Sequence, residues 1–137
     1  MYDRKYFQCS FVLLFTEFID FLPRVMKLYH ENSSIFSQSC LLLIKYLNLP
    51  IEVEDHEPHD EKFTNEINPI FRVPVFLDSE LVLTESRAIM TYLIENLQPG
   101  NSLYSKDLKR RALIDQRLFY DAAVVAPILM ELIVSSW

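Results

Sequence analysis

Glycine and cysteine are both scarce in this sequence. Its single glycine, Gly100, excludes the glycine-rich loops that cradle nucleotide phosphates. Its two cysteines, Cys9 and Cys40, form neither a CxxC pair nor a metal-spaced cluster, which fits a reducing compartment. Basic residues are also in the minority: the sequence has 13 of them and 19 acidic residues, which gives a net charge of −6. That balance argues against a nucleic-acid surface and indicates a soluble acidic protein.

The apolar segment nearest the N-terminus, residues 11–22 (FVLLFTEFIDFL), is shorter than the roughly 20 residues that span a bilayer. Glu17 and Asp20 interrupt it, and no small-residue cleavage site follows, so a secretory leader or anchor is disfavoured. We predict an amphipathic helix that Pro23 ends, within an N-terminal extension of residues 1–25. Its apolar stripe would consist of Phe11, Leu14, Phe15, Phe18 and Leu22.

Short strand-like and helical patterns alternate between residues 26 and 98. MKLYH and IEVEDHE favour strands, IFSQSCLLLIKYLN and SRAIMTYLIENL show helical spacing, and HDEKFTNEIN suits a short irregular helix. Val73–Leu77 and Glu80–Leu83 are predicted to form a hairpin that turns at Asp78–Ser79. The order is therefore β-α-β-α-β-β-α. Because a βαβ unit pairs its strands in parallel and a hairpin adds antiparallel ones, we predict an α/β, thioredoxin-like domain with helices on both faces of a four-stranded mixed sheet.

Individual side chains of this domain are expected on particular sides. In the second strand, Ile51 and Val53 should face the core, with the carboxylates outward. His30 and His56 have no partner visible in the sequence and are expected at surface or loop positions. In the last helix of the domain, five side chains are expected to face the core: Ala88, Ile89, Tyr92, Leu93 and Leu97.

The chain changes character after residue 98. Residues 99–106 have the composition of a linker, and residues 107–137 are predicted to begin an all-helical domain. Its first helix should run about 19 residues before Pro127 forces a bend or a stop. One face of that helix would carry Leu108, Ala112, Asp115, Leu118, Phe119, Ala122 and Ala126. One helix cannot form a core alone, so we expect an incomplete domain whose apolar side lies exposed.

The most informative stretch is RVPVFLDSELVLTES, residues 72–86, which ends on Glu85 and Ser86 where a helix begins. A helix N-terminus presents free N–H groups and a positive dipole end. Its amides and the Ser86 hydroxyl therefore suit a carboxylate, whereas Glu85 suits an ammonium group. A cis peptide at Pro74 would leave the Val73 backbone free to pair with an extended peptide. The alternative is that Glu85 and Ser86 only cap the helix.

INPIFRVPVFLDSELVLTESRAIMTYL resembles the glutathione-binding half of cytosolic glutathione transferases, and KRRALIDQRLFYD is similar to their insect-type delta and epsilon classes. The resemblance covers about residues 26–132. It implies that Val73, next to Pro74, pairs through its backbone with the cysteinyl part of glutathione. It also implies that Glu85 and Ser86 hold the γ-glutamyl end. Two charged residues would support these contacts: Arg87 and Asp121.

These classes use a serine near the first strand–helix junction to activate the glutathione thiol. The matching loop is YHENSSIFSQS, in which Ser34 is the candidate and Ser33 the second choice. A free thiol has a pKa of about 8.5, so little of it is thiolate at neutral pH. A hydroxyl that donates a hydrogen bond to sulfur at a helix N-terminus favours the thiolate. The alternative is that Ser34 is an ordinary helix cap.

The sequence departs from the family's pattern around this serine. Ile35 and Phe36 replace the prolines that usually follow it, and Gln38 stands where an arginine is usual.

A further departure affects the glycine end of glutathione. Phe71 replaces a histidine that contacts this end in the family. His59 lies where the family often has another histidine, and Arg72 offers a positive charge to the terminal carboxylate. Both are candidates to compensate for the lost contact.

The resemblance implies an enzyme that conjugates reduced glutathione, as a co-substrate and without a cofactor, to small hydrophobic electrophiles. It further implies a cytoplasmic homodimer that acts in detoxification, with no metal, nucleic-acid or membrane partner. One alternative is a truncated, non-catalytic relative that binds glutathione weakly or pairs with full-length partners; Gln38, Phe71 and the missing helices favour it. Another is thiol–disulfide exchange, which the fold permits. Cys40 gives it little support, because it lies inside a helix with no cysteine near it in sequence.

Overall fold

A four-stranded mixed sheet lies at the centre of the fold. The computed structural model describes residues 24–56, 67–68, 72–79 and 81–135. The strands are β1 (Met26–His30), β2 (Glu52–Asp55), β3 (Val75–Asp78) and β4 (Leu81–Leu83), in the spatial order β2-β1-β3-β4. β1 is parallel to β2 and antiparallel to β3, and β3 is antiparallel to β4. The predicted thioredoxin-like fold is confirmed.

Two helices supply the other half of the core. Helix α1 (Ile35–Tyr46) follows β1, and helix α2 (Ser86–Leu97) follows β4 with the bounds that its pattern predicted. Helix α1 ends before the predicted Asn48 because that residue takes a positive φ of 49°, a left-handed conformation typical of helix ends. The core combines side chains from both helices and the sheet: Leu28, Cys40, Ile44, Phe76, Ile89 and Leu93.

Three of the predicted orientations are wrong. Val53 is 41% exposed, because β2 is an edge strand whose four residues are all exposed. His30 is buried rather than on the surface, because it shares the inward face of β1 with Met26 and Leu28. Ala88 is exposed, since the buried stripe of α2 consists of Ser86, Ile89, Leu93 and Ile94.

The C-terminal part is a long helical run. After a 3-10 turn (Ser102–Tyr104) come helix α3 (Leu108–Tyr120), a π-helical segment (Asp121–Val125) and helix α4 (Ala126–Ser135). Of the bend or stop predicted at Pro127, the stop is therefore wrong, because the helical run continues to Ser135. In the π segment the Ala126 N–H bonds to the Asp121 carbonyl, and this wider turn accommodates the proline that follows it.

The end of this run exposes its apolar side chains, as expected. Leu132 and Val134 are 60% and 68% exposed, and Ile128 and Leu129 are also open to solvent. The run from Leu108 to Ser135 is long and apolar enough to cross a membrane by length and composition. Core helices of soluble proteins pass the same test, so this property does not assign the helix to a bilayer.

Asp78 anchors the start of β1 to the end of β3. Its buried carboxylate accepts hydrogen bonds from the Arg24 guanidinium, with Nε at 2.5 Å, and from the Tyr92 hydroxyl at 2.5 Å. The hydrogen bond from Arg24 is the main reason why the pKa of Asp78 lies below its ordinary value, with Tyr92 adding to the effect. The residue predicted to form a turn is thus a buried ion-pair partner.

Replacing Asp78 with asparagine should lower the free energy of unfolding at pH 7 by about 2 kcal/mol, because a charge-assisted hydrogen-bond pair is lost. The folded-state pKa of Asp78 lies below that of the unfolded chain, about 3.9. Its contribution is therefore complete well above pH 4 and is lost as the pH falls through the folded-state value. Urea unfolding at pH 7 and pH 3 measures both effects, and the difference between the two proteins should shrink at pH 3.

The matched control is Asp55→Asn, at the exposed end of β2. It should cost less than about 0.5 kcal/mol, as most exposed substitutions do. Equal losses for the two variants, or a loss at Asp78 that is the same at both pH values, would contradict the anchoring role.

Candidate functional site

The topology brings three polar segments to one edge of the sheet. Because Tyr29 pairs with Val75, the loop that follows β1 lies beside the Val73–Pro74 corner. β4 pairs alongside β3, and α2 begins at Ser86, just beyond the end of β4. The Cys40 thiol donates to the Ser86 carbonyl at 3.6 Å and so ties α1 to the start of α2.

Glu85 occupies an unusual backbone position at the start of α2. Its φ of 68° and ψ of 108° are rare for a residue other than glycine. Such conformations cost on the order of 1–3 kcal/mol and concentrate at functional sites. The Glu85 side chain is exposed and makes no capping hydrogen bond. Glu85 is therefore the N-cap residue of α2 by position, but its side chain provides no capping hydrogen bond and its carboxylate is exposed.

Ser86 and Arg87 form the next layer of the site. Ser86 is buried, and its Oγ accepts a hydrogen bond from Arg87 Nη1 at 3.2 Å. The Arg87 guanidinium also forms an ion pair with Asp121, with Nε at 2.9 Å from Oδ2. Because Asp121 begins the π segment, this pair connects the C-terminal helices to the start of α2. The predicted residues Ser86, Arg87 and Asp121 are thus brought together.

The two serines before α1 use their hydroxyl groups differently. Ser34 is the N-cap, and its Oγ accepts from the Ser37 N–H at 3.2 Å. Capping uses only the oxygen, so the Ser34 proton is left to donate elsewhere. The Ser33 hydroxyl instead donates to the Glu31 carboxylate. Gln38, at the position of the expected arginine, donates to the Asn32 carbonyl at 3.0 Å and braces the same loop.

The Val73–Pro74 corner forms the third side of the site. The peptide bond between the two residues is cis, as predicted, and Pro74 is buried. Asn68 Nδ2 donates to the Arg72 carbonyl at 2.7 Å and supports the approach to this corner. Arg72 is exposed. His59 and Phe71 lie outside the described residues, as does the helix predicted for residues 11–22.

Cys40 has the properties of a core thiol. It is completely buried, and this burial raises its pKa to about 12. A thiol with so high a pKa holds almost no thiolate at neutral pH and is a poor nucleophile. The structure therefore gives thiol–disulfide exchange at Cys40 no support.

A cavity of about 380 Å³ lies between α2 and α3, next to the polar site. Glu85 and Arg87 line it from α2, and Phe119 lines it from α3. Tyr104 and Asp115 form part of its wall and are joined by a hydrogen bond of 3.0 Å. Ser34 is not among the lining residues, so this cavity is separate from the hydroxyl at the start of α1.

One contact of the site was not anticipated from the sequence. The Phe36 ring lies beneath the Arg87 guanidinium, with Cζ at 5.1 Å from the ring centroid. In the sequence, Phe36 is recognisable only as a departure from the family's proline. The two residues are far apart in sequence, so no local signal could have revealed the contact.

Comparison with protein families places this arrangement in context. A family model described as "Glutathione S-transferase, N-terminal domain" matches residues 24–95, more than half of the 137 residues. Among sequence relatives, the chain is 45% identical over 100 residues to glutathione S-transferase D6 of Drosophila melanogaster, which covers 70% of this chain and 46% of that protein.

Solved structures show the same likeness. A glutathione transferase homologue of Drosophila mojavensis with bound glutathione superimposes with a TM-score of 0.69 at 31% identity, over 74% of this chain and 48% of the other. A delta-class glutathione transferase of Nilaparvata lugens gives a TM-score of 0.65 at 34% identity, over 72% and 48%. The chain thus spans about half the length of the relatives it matches.

Proposed function

Because this chain belongs to the glutathione S-transferase family and is a relative of its insect delta and epsilon classes, we propose that it binds reduced glutathione at the edge formed by the starts of α1 and α2 and the Val73–Pro74 corner. We further propose that it conjugates the tripeptide to small hydrophobic electrophiles. Glutathione is a co-substrate in this reaction, and no cofactor is required.

The proposal depends most on the position and conformation of Glu85. An exposed carboxylate, held at a positive φ and unused for capping, suits the ammonium group of the γ-glutamyl end. The neighbouring α-carboxylate of the ligand would accept hydrogen bonds from the Ser86 hydroxyl and from the first amides of α2. Arg87 and Asp121 support this end by fixing the Ser86 oxygen.

The rest of the tripeptide extends from that anchor along the sheet edge. The Val73 backbone would pair with the cysteinyl residue in an extended conformation. Of the candidates for the glycine end, Arg72 is exposed beside this corner, and His59 is proposed from the family pattern. This path directs the cysteinyl sulfur toward the start of α1, where Ser34 lies.

Ser34 is the proposed thiolate-stabilising residue. Its oxygen already accepts from the Ser37 N–H, and its proton donates to the glutathione sulfur. The positive end of α1 adds to the stabilisation. Lowering the thiol pKa by about two units requires roughly 2.7 kcal/mol of preferential interaction with the thiolate. The thiolate then attacks an electrophilic carbon and forms a thioether as the leaving group departs with the bonding electrons.

A second candidate function is glutathione binding without turnover. It is favoured by one observation: Gln38, which stands where the family usually has an arginine, donates to the Asn32 carbonyl and brings no positive charge to the loop of Ser34. In that case the start of α2 would still bind glutathione, and its thiol would not be activated. The expected homodimer and cytoplasmic location belong to the same proposal, and sedimentation of the purified chain tests the first.

Two assays on the full chain separate these functions. Retention on immobilised glutathione, with release by free glutathione, tests binding, and conjugation of a chlorinated aromatic tests turnover. We expect retention together with turnover. Retention without turnover would support the second candidate, and the absence of both would overturn the proposed function.

A further inference from the structure

The Phe36 ring and the Arg87 guanidinium form a cation–π contact between the first turns of α1 and α2. Arg87 Cζ lies 5.1 Å from the ring centroid, within the range of such attractions, and both side chains are largely shielded from solvent. Phe36 lies two residues after Ser34 on α1, whereas Arg87 follows Ser86 on α2. The contact therefore joins the two helix starts that hold the proposed binding groups.

The geometry of Arg87 explains what the ring can do. A guanidinium is planar, and its donors lie in that plane, so its faces stay available for stacking. In this structure the donors reach Ser86 Oγ and Asp121, while the guanidinium carbon Cζ lies over the Phe36 ring. The ring leaves the N–H donors of Arg87 available to Ser86 and Asp121, and its contact restricts rotation of the guanidinium plane. That plane determines whether Nη1 reaches Ser86 Oγ.

We propose that Phe36 is a positioning residue that holds the Arg87 guanidinium, and through it the Ser86 hydroxyl, in the orientation that accepts the γ-glutamyl end of glutathione. When Ser86 Oγ accepts from Arg87, its own proton points to another acceptor, which we infer is the ligand α-carboxylate. This inference rests on the proposed function. It gives a role to a residue that stands where the family usually has a proline.

The expected effect falls on binding more than on chemistry. S-Methylglutathione is the probe for binding, because it keeps the γ-glutamyl end and has no free thiol. Phe36→Leu keeps an apolar side chain and removes the aromatic ring, and it should weaken calorimetric binding of the probe about fivefold. The KM for glutathione should rise by a similar factor, while kcat changes less than about twofold. Phe36→Tyr restores the ring and should restore affinity.

Tyr46→Leu is the matched control, because it removes an aromatic ring from an exposed position at the other end of α1. Its affinity should equal that of the parent chain. A double-mutant cycle with Arg87→Gln separates positioning from simple packing. If the ring acts through Arg87, Phe36→Leu should have no further effect on binding once Arg87 is replaced.

The outcomes are distinct for the two proposals. A parent chain that binds neither glutathione nor its S-methyl form overturns the proposed function, and this inference falls with it. A parent chain that binds the probe, with unchanged affinity in Phe36→Leu, overturns the positioning role alone. An equal loss of affinity for Phe36→Leu in the presence and absence of Arg87 also overturns it, because the ring would then act only by packing.

Discussion

Replacing Ser34 with alanine is expected to lower kcat/KM for the electrophile, measured at saturating glutathione, about 50-fold at pH 6.5. The Ser34 hydroxyl is proposed to lower the pKa of the bound glutathione thiol by about two units, from about 8.5 to about 6.5. At pH 6.5 about half of that thiol is then ionised, against about 1% without the hydroxyl. The pH–rate profile should therefore shift upward by about two units in the variant. The loss of kcat/KM should become smaller as the pH rises toward the pKa of the free thiol, because the thiolate then forms without the Ser34 hydroxyl.

Ser34 also caps α1, so loss of the cap has to be separated from loss of the hydroxyl. Ser34→Asn keeps a capping oxygen at a cost of a few tenths of a kcal/mol and removes the hydroxyl. Ser34→Thr keeps both functions. We expect Ser34→Asn to behave like Ser34→Ala in the pH profile and Ser34→Thr to retain most activity. Full activity in Ser34→Asn would show that only the cap matters.

Ser33 is the comparison residue within the same loop. Its hydroxyl donates to the Glu31 carboxylate, so it is already engaged. Ser33→Ala should therefore change kcat/KM less than about threefold, in line with the modest net value of one neutral hydrogen bond. The reverse ranking of the two serines would transfer the proposed role to Ser33.

Replacing Glu85 with glutamine should raise the Kd for glutathione about 30-fold. The substitution keeps the shape and the backbone position and removes the charge that the ligand ammonium would meet. Hydrogen bonds to charged groups are worth about 1.5–3 kcal/mol, and 2 kcal/mol corresponds to roughly 30-fold. Calorimetric titration of the folded variant measures the change, and far-UV circular dichroism verifies that α2 is retained.

A modified ligand makes this test specific to the ammonium group. Glutathione acetylated on its amino group should bind the parent chain weakly, and Glu85→Gln should not weaken that binding further. Glu95→Gln, on the same helix but paired with Arg111, should leave glutathione affinity unchanged within about twofold. A Glu85→Gln penalty that persists with the acetylated ligand would contradict an ammonium contact.

The local sequence pattern was sufficient to predict the helix and strand on either side of the site. β1 alternates apolar and polar residues and was predicted with its observed bounds, and α2 shows helical spacing bounded by a hydroxyl and a glutamine. The junction of Glu85 and Ser86 could be found for the same reason, because a helix start is a local property. The positive φ at Glu85 could not, since glutamate carries no preference for it.

Two other long-range pairs could not be predicted from local sequence patterns. Arg24 and Asp78 are 54 positions apart, and Asp78 looked like a turn residue because it precedes Ser79. Phe36 and Arg87 meet only because α1 and α2 pack together. The continuation of the helix past Pro127 depends on a change of hydrogen-bond register one turn earlier, which no residue type specifies.

One glutathione molecule is proposed to lie across the starts of both helices and the Val73–Pro74 corner. The most direct measurement is a titration of the isotopically labelled chain with reduced glutathione, followed by amide chemical shifts. We expect saturable shifts at Ser34, Val73 and Ser86, with the β2 residues Glu52–Asp55 unaffected. Saturation with no change at Ser86, or no binding at millimolar glutathione, would contradict it.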